Sequence, residues 1–171
     1  MKRKEDIGFC NEKIFSDFFL NNSKLLNNYI FYKCGNFELA RDIVQEAFLK
    51  FWNNCDKIIP DKAKSYLYTI ANNLFLNEYS RNKVVLNFKN TTPKNYTNES
   101  PEYIFEEKEF QSKLQNAISN LTESQRTAFL MNRIDGKKYT EIAEILGISV
   151  KAVEKRIHYA LLNLRKDIKN I

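Results

Sequence analysis

The sequence predicts an all-α protein of two small helical domains joined by a flexible linker. Three observations carry this. Apolar residues recur mainly at spacings of three, four and seven, the helical period. Only four glycines and three prolines punctuate 171 residues, too few for the turn every ~8–12 residues that antiparallel β proteins need. One polar, Asn-rich stretch, 87–98, interrupts the periodicity near the middle. A composition of 43% hydrophobic and 28% charged residues excludes a wholly disordered or collagen-like chain.

In chain order, residues 11–34 carry Ile14, Phe15, Phe18, Phe19, Leu25, Leu26, Tyr29 and Ile30 on a helical pattern, and Gly35 is placed to end it as a left-handed cap. A second helix is expected over 38–53, with Leu39, Ile43, Val44, Ala47, Phe48, Phe51 and Trp52 as its apolar face. A third follows Pro60-Asp61 and runs to Arg81, with Leu67, Ile70, Ala71, Leu74 and Phe75 inside. Three such faces can form one bundle, residues 8–82. Residues 83–100 read as the linker. Ser100-Pro101-Glu102 restarts helix, with Ser as cap, Pro at the first helical position and Glu near the positive end. Along it Phe110, Leu114, Ile118 and Leu121 face one way. Thr122-Glu123-Ser124-Gln125 is a capping box opening a helix to about Asp135, closed by Gly136. A short helix over 139–146, a turn at Gly147-Ile148-Ser149 and a last helix to about Lys169 complete a second domain, 101–171. No internal repeat is visible.

Several function classes fall away at this point. There is no G-x-G-x-x-G or G-x-x-x-x-G-K-[ST] phosphate loop. No apolar run approaches the ~20 residues of a membrane span, so no membrane insertion is expected. The basic stretch Met1–Asp6 is not followed by an apolar segment, so no signal peptide is expected either. Cys10, Cys34 and Cys55 are odd in number and widely spaced. They read as reduced thiols of a cytoplasmic protein rather than a disulfide framework. With one histidine and no Cys-x-x-Cys, neither a metal site nor a cofactor is expected.

Net charge is +6, and it is uneven. From Lys137 to the end eight Lys/Arg stand against four Asp/Glu, whereas residues 1–81 hold twelve against ten. A basic end on a nearly balanced first half suggests a polyanion partner. The motif there is more specific. Residues 139–157 fit a helix-turn-helix: Ala143 is small where the helices cross, Gly147 supplies the left-handed turn and Ser149 caps the second helix. Ile142, Leu146, Ile148, Val153 and Ile157 form the shared core. That leaves Lys151, Glu154, Lys155 and His158 on the outer face at i, i+3, i+4 and i+7, with Tyr159 beside them. Such a face can enter a major groove.

Two further constellations lie in the first domain. Asp42, Gln45, Glu46 and Leu49 also fall at i, i+3, i+4 and i+7, two carboxylates and an amide beside a leucine on the polar side of the second helix. Residues 65–81 interleave aromatics with asparagines and end in a base, including Tyr66, Asn72, Asn73, Asn77 and Arg81. Aromatic faces stack on unpaired bases, and Asn hydrogen-bonds base edges.

Taken together, these stretches resemble the extracytoplasmic-function (ECF) sigma factors of the sigma-70 family. Asp42–Trp52 resembles region 2.2, usually D-L-V-Q-E-x-F-L-x-x-W. Tyr66–Arg81 resembles region 2.3–2.4, usually W-L-Y-x-I-A-R-N. Leu121–Lys166 resembles region 4, with L-x-x-x-Q-R-x-x-F-x-L early and the helix-turn-helix late. The resemblance implies a dissociable promoter-specificity subunit. Asp42, Gln45, Glu46 and Leu49 would dock on the β′ clamp of core RNA polymerase. The turn Asn54–Lys62, with Asn73 and Asn77 and their neighbours Tyr66, Asn72 and Arg81, would read and open the −10 element. Lys151, Glu154, Lys155, His158 and Tyr159 would read the −35 element, and region 4 would touch the β flap. An anti-sigma factor is a further implied partner. This chain departs from the family pattern in having Tyr66 for a tryptophan, Asn72 for an arginine, and Lys138 where Ser or Thr often caps the helix-turn-helix.

Two other classes share the helix-turn-helix. A stand-alone regulator would use it without polymerase, and the Asp42–Leu49 face argues for polymerase instead. A recombinase would need a nucleophile among clustered arginines. Residues 1–81 hold only Arg3, Arg41 and Arg81, so no enzyme activity is expected.

Overall fold

The computed structural model describes residues 8–82 and 101–168, with side chains over 8–80 and 109–168. The linker and the Ser100 cap fall outside the described residues. After a 3-10 turn at Gly8–Cys10 come α1 (Glu12–Cys34) and α2 (Phe37–Asn53). Two further 3-10 turns, Cys55–Lys57 and Pro60–Lys62, lead into α3 (Ala63–Asn82). The second domain holds α4 (Pro101–Asn120), α5 (Glu123–Arg133), α6 (Tyr139–Leu146) and α7 (Val150–Asp167). The all-α, two-domain expectation is met among the described residues.

Local chemistry sets the boundaries. Asn11 Oδ1 accepts from the Lys13 and Ile14 N–H groups at 3.0 and 3.2 Å, satisfying two orphan donors at the start of α1. At the other end Gly35 adopts φ 65° and its N–H donates to the Phe31 carbonyl. The next residue, Asn36, caps α2 by accepting from the Leu39 N–H at 3.0 Å. Two residues thus stop one helix and start the next, folding α2 back on α1. The Thr122–Gln125 capping box forms as expected, each side chain accepting the other's backbone N–H. Helix α5 ends at Arg133, slightly before the expected Asp135.

The first domain is sealed by rings. Phe18 stacks on Phe51 at 4.9 Å, Phe15 lies 4.7 Å from Trp52, and Phe9 meets both Phe18 and Phe51 edge-on at 5.0 and 5.3 Å. Leu26, Ile30, Phe51, Leu67 and Ala71 are fully buried behind them, and each large apolar side chain contributes roughly 1.5–3 kcal/mol by burial. Ile14 and Phe19, expected on the apolar face of α1, are exposed at 45% and 39%, because the cluster is built on the Phe15–Phe18 stripe and these two flank it. Phe110 is likewise exposed. Packing of α4 against α7 starts one turn later, at Leu114, and is carried by Ala117, Leu121, Ala160, Leu164 and Ile168.

The two domains share a core. Buried residues run without interruption from Leu26, Leu67 and Ala71 to Ala128, Met131, Ile142, Val153 and Ile157. One cysteine expectation is corrected: Cys10 and Cys55 are joined in a disulfide, and only Cys34 is a free, buried thiol. The pair is 45 residues apart in sequence. It meets because Phe9 anchors the first turn on Phe18 and Phe51, beside the turn leaving α2.

Candidate nucleic-acid interface

The helix-turn-helix is built by its caps. Gly147 takes φ 64°, a conformation that costs other L-residues roughly 1–2 kcal/mol, and turns the chain between α6 and α7. Ser149 Oγ accepts the Ala152 N–H at 3.2 Å. At the start of α6 an ammonium cannot accept a hydrogen bond. Lys138 therefore caps nothing with its side chain, and Glu141 accepts the Lys138 N–H at 2.8 Å instead. That bond holds the Glu141 carboxyl below the usual range. Of the expected core, Ile142, Val153 and Ile157 are buried, while Leu146 and Ile148 pack on it half-buried.

With Val153, Ile157, Ala160 and Leu164 inward, α7 turns Lys151, Glu154, Lys155, His158 and Tyr159 to solvent. All five lie on one side of a helix whose opposite side is core, so it can approach a groove without disturbing packing. His158 and Tyr159 sit together, ring centroids 5.7 Å apart.

Along α3, Leu67, Tyr68, Ala71, Leu74 and Phe75 point inward. This exposes Tyr66, Thr69, Asn73 and Asn77 as one stripe. The Tyr66 ring lies against the aromatic cluster, 6.2 Å from Phe51, and remains 38% exposed. Asn72 is separated from this stripe: half-buried, it accepts from the Tyr29 hydroxyl at 3.3 Å. Arg81 lies within α3, and its side chain is outside the described residues.

On α2, Ile43, Val44, Ala47, Phe48 and Phe51 are buried, and Asp42, Gln45, Glu46 and Leu49 are all exposed. Leu49 is 64% exposed. Glu46 pairs with Lys50 at 3.1 Å, both ends open to water, a contact worth only a few tenths of a kcal/mol.

Sequence reasoning missed how the domains meet. Lys33, on α1, pairs with Glu123 on α5 at 2.7 Å. Asp135 Oδ1 accepts from Asn28 at 2.8 Å and from the Tyr32 hydroxyl at 3.1 Å. Arg126, fully buried, donates to carbonyls of both domains. Beside this joint lies a cleft of about 400 Å³, with Tyr68, Thr69 and Asn72 on one wall and Thr127, Glu144 and Arg156 on the other. Arg126 follows Gln125 in the Q-R pair of the region 4 pattern, and an arginine on the buried side of an amphipathic helix was the available signal.

Two family models match the chain: sigma-70 region 2 over residues 18–84 and sigma-70 region 4 over residues 111–164. The RNA polymerase sigma factor YlaC of Bacillus subtilis is 30% identical over 146 residues, covering 82% of this chain and 84% of YlaC. The ECF sigma factor SigW of the same organism is 32% identical over 148 residues, covering 80% and 79%. The chain belongs to the ECF RNA polymerase sigma factors. It is accordingly a dissociable subunit that directs core RNA polymerase to specific promoters for transcription initiation. The fold agrees. The sigma factor RpoE of Bartonella quintana, solved with the anti-sigma factor NepR, superposes with a TM-score of 0.69 at 20% identity, covering 92% of this sigma factor and 98% of RpoE. Regions 2 and 4 thus place the α2 and α3 faces in the first matched region and the helix-turn-helix in the second. Among the described residues of this sigma factor, no helix is long and apolar enough to cross a membrane.

Proposed function

We propose that three faces divide the work of this sigma factor. Asp42, Gln45, Glu46 and Leu49 on α2 dock on the β′ clamp. Tyr66, Asn73 and Asn77, with Asn72, Arg81 and the turn 54–62, read and open the −10 element. Lys151, Glu154, Lys155, His158 and Tyr159 read the −35 element, with region 4 also against the β flap. Residues 8–82 act as one domain and 101–171 as the other, joined by 83–100. It works in the cytoplasm, with its polymerase and promoters, as a binding and positioning factor without catalysis of its own. An anti-sigma factor, as in the RpoE complex, is its proposed inhibitory partner.

The observation carrying this reading is the exposure of Asp42, Gln45, Glu46 and Leu49 on α2, of Tyr66, Asn73 and Asn77 on α3, and of the five α7 residues, each on a helix whose opposite side is core. Such side chains add little to packing and are open to contact with partners. Geometry adds a requirement. Promoter elements centred about 25 base pairs apart are separated by roughly 85 Å of duplex at ~3.4 Å per step. A compact chain of this size spans only ~40 Å. The docked arrangement is therefore the free form, and the joint at Arg126 opens on polymerase.

Core polymerase without DNA should retain the full-length protein, and the assembled enzyme should transcribe selected promoters from a genomic library. Nanomolar promoter binding by the free protein at physiological salt would overturn the reading in favour of a stand-alone regulator, because two small faces offer few phosphate contacts and salt screens them.

A further inference from the structure

We propose that Cys10 and Cys55 are an oxidation site, a thiol pair that a low-molecular-weight disulfide closes into an intramolecular bond, and that this bond fixes the turn leaving α2 for promoter opening. The second half rests on the assignment of the turn 54–62 to the −10 element.

Cys10 ends the first 3-10 turn, and Cys55 begins the turn after α2. Their Cα atoms are 5.1 Å apart, inside the range a disulfide requires. Both are half-buried, within reach of a small oxidant. The two thiols stay neighbours when reduced, because Phe9 is held against Phe18 and Phe51 by ring contacts that do not depend on the bond. Ring closure is then an intramolecular step at high effective concentration. Cys34 provides the contrast. It is 1% exposed, its Sγ lies 3.2 Å from the Asn36 carbonyl, and burial keeps its thiol protonated.

The chemistry is thiol–disulfide exchange. One protein thiol loses its proton and attacks a sulfur of the small disulfide. A mixed disulfide forms and one small thiolate leaves. The second protein thiol loses its proton, attacks the protein sulfur of that mixed disulfide and expels the other small thiolate. The protein gives up two electrons and two protons, and the small disulfide becomes two thiols. In a reducing compartment a half-exposed bond of this kind is transient, and cytosolic disulfides of that sort are usually catalytic or redox-sensing.

The bond acts on the turn beyond it. Asp56, Lys57, Ile59 and Asp61 stand exposed between Cys55 and α3. Tying Cys55 down removes freedom that this turn would otherwise lose on binding DNA. The oxidised form is thus the one prepared for strand opening.

The test uses the full-length protein in graded mixtures of oxidised and reduced glutathione, with peptide mapping under non-reducing conditions. A Cys10–Cys55 linked peptide should appear as the mixture becomes oxidising and vanish on reduction, with Cys34 unmodified. With core polymerase, permanganate reactivity at the −10 element should rise on oxidation by roughly three- to tenfold, the effect of ordering about one side chain beforehand. Cys10→Ser, outside the turn assigned to the −10 element, should remove the response while leaving polymerase affinity and circular dichroism unchanged. Failure of the linked peptide to form, or equal opening by oxidised and reduced protein, overturns the switch. The assignment of the turn is tested separately by Asp61→Ala in reduced protein. A linked peptide that forms while this variant leaves −10 opening unchanged overturns the turn's role and not the oxidation chemistry.

Discussion

Arg126 Nε donates to the carbonyl oxygen of Tyr32 at 2.9 Å, across the boundary between the two domains. The same guanidinium reaches the Lys33 carbonyl at 3.3 Å, the Leu121 carbonyl at 3.0 Å and the Ser119 carbonyl at 3.4 Å. Tyr32 and Lys33 lie in the last turn of α1, and Ser119 in the last turn of α4. Carbonyls there have no intrahelical donor, and a cation is favoured at that end of the helix dipole. One buried side chain therefore caps two helices that belong to different domains.

Replacing Arg126 with Met should break this joint. Carbonyls of both domains lose their donor inside the protein, at a cost of about 1–3 kcal/mol for each buried acceptor left without a partner. Arg126→Lys should recover little, since one ammonium cannot reach carbonyls arranged around a planar fork. Chemical denaturation followed by circular dichroism checks this. The wild type should unfold in one transition, and the Met variant in two, as the domains lose their shared core. A single unshifted transition would show that the joint does not hold the domains.

The joint also predicts a response to alkali. Tyr29, Tyr32 and Tyr68 sit at or beside it, and burial raises each hydroxyl above its ordinary pKa of 10.0. Glu123 adds to this at Tyr29, and Asp135 at Tyr32 and Tyr68. A group whose folded pKa is raised stabilises the fold fully below its unfolded pKa and loses that contribution as pH climbs through the folded value. Stability should accordingly hold across neutral pH and fall above about pH 10, where the unfolded chain releases protons that the folded one retains. Tyrosinate absorbance and helical circular dichroism, followed together, should change in one step for the buried tyrosines. Early ionisation of all nine tyrosines with the fold intact would contradict this.

The polymerase face allows a cleaner separation of binding from folding. Asp42→Lys together with Glu46→Lys should weaken core polymerase binding by at least tenfold, the scale of like charge set against a complementary surface. Thermal stability should move by less than about 0.5 kcal/mol, because both side chains are exposed and Glu46 loses only a surface pair. Affinity for core enzyme without DNA, beside a melting curve, decides it.

Legibility in the sequence tracks locality. Helix period, the Gly35 and Ser149 caps, the Thr122–Gln125 box and the Gly147 turn each depend on residues within a few positions, and each is readable there. So is the exposure of Asp42, Glu46, Lys151 and Lys155, since it depends on which neighbours are apolar. The Arg126–Tyr32 contact spans 94 positions and the Cys10–Cys55 bond 45. Such contacts depend on how packed helices meet, which periodicity does not encode. Asn72 illustrates the limit inside one helix: it sits next to Asn73 in sequence, yet turns toward Tyr29 and the cleft while Asn73 turns to solvent.

That difference sharpens the prediction for promoter choice. Lys155 and Glu154 share the outer face of α7, backed by Val153 and Ile157, so substituting either should change −35 preference and spare stability. A lost base-edge contact costs ~1–3 kcal/mol, and only at the position it reads. Asn73→Ala and Asn77→Ala should instead alter −10 preference and strand opening, since both lie on the exposed stripe of α3. Asn72→Ala should act differently from its neighbour. It removes the acceptor of the Tyr29 hydroxyl between α1 and α3, so its effect should include the stability of the first domain. With the domains parted on the promoter, variants of α3 and α7 share no contacts and their effects should add within about 0.5 kcal/mol. Selection from a randomised promoter library, with permanganate footprinting of the opened strand, measures all of these. A Lys155 variant that shifted only the −10 preference, or an Asn73 variant that shifted only the −35 preference, would overturn the division of labour between the two helices.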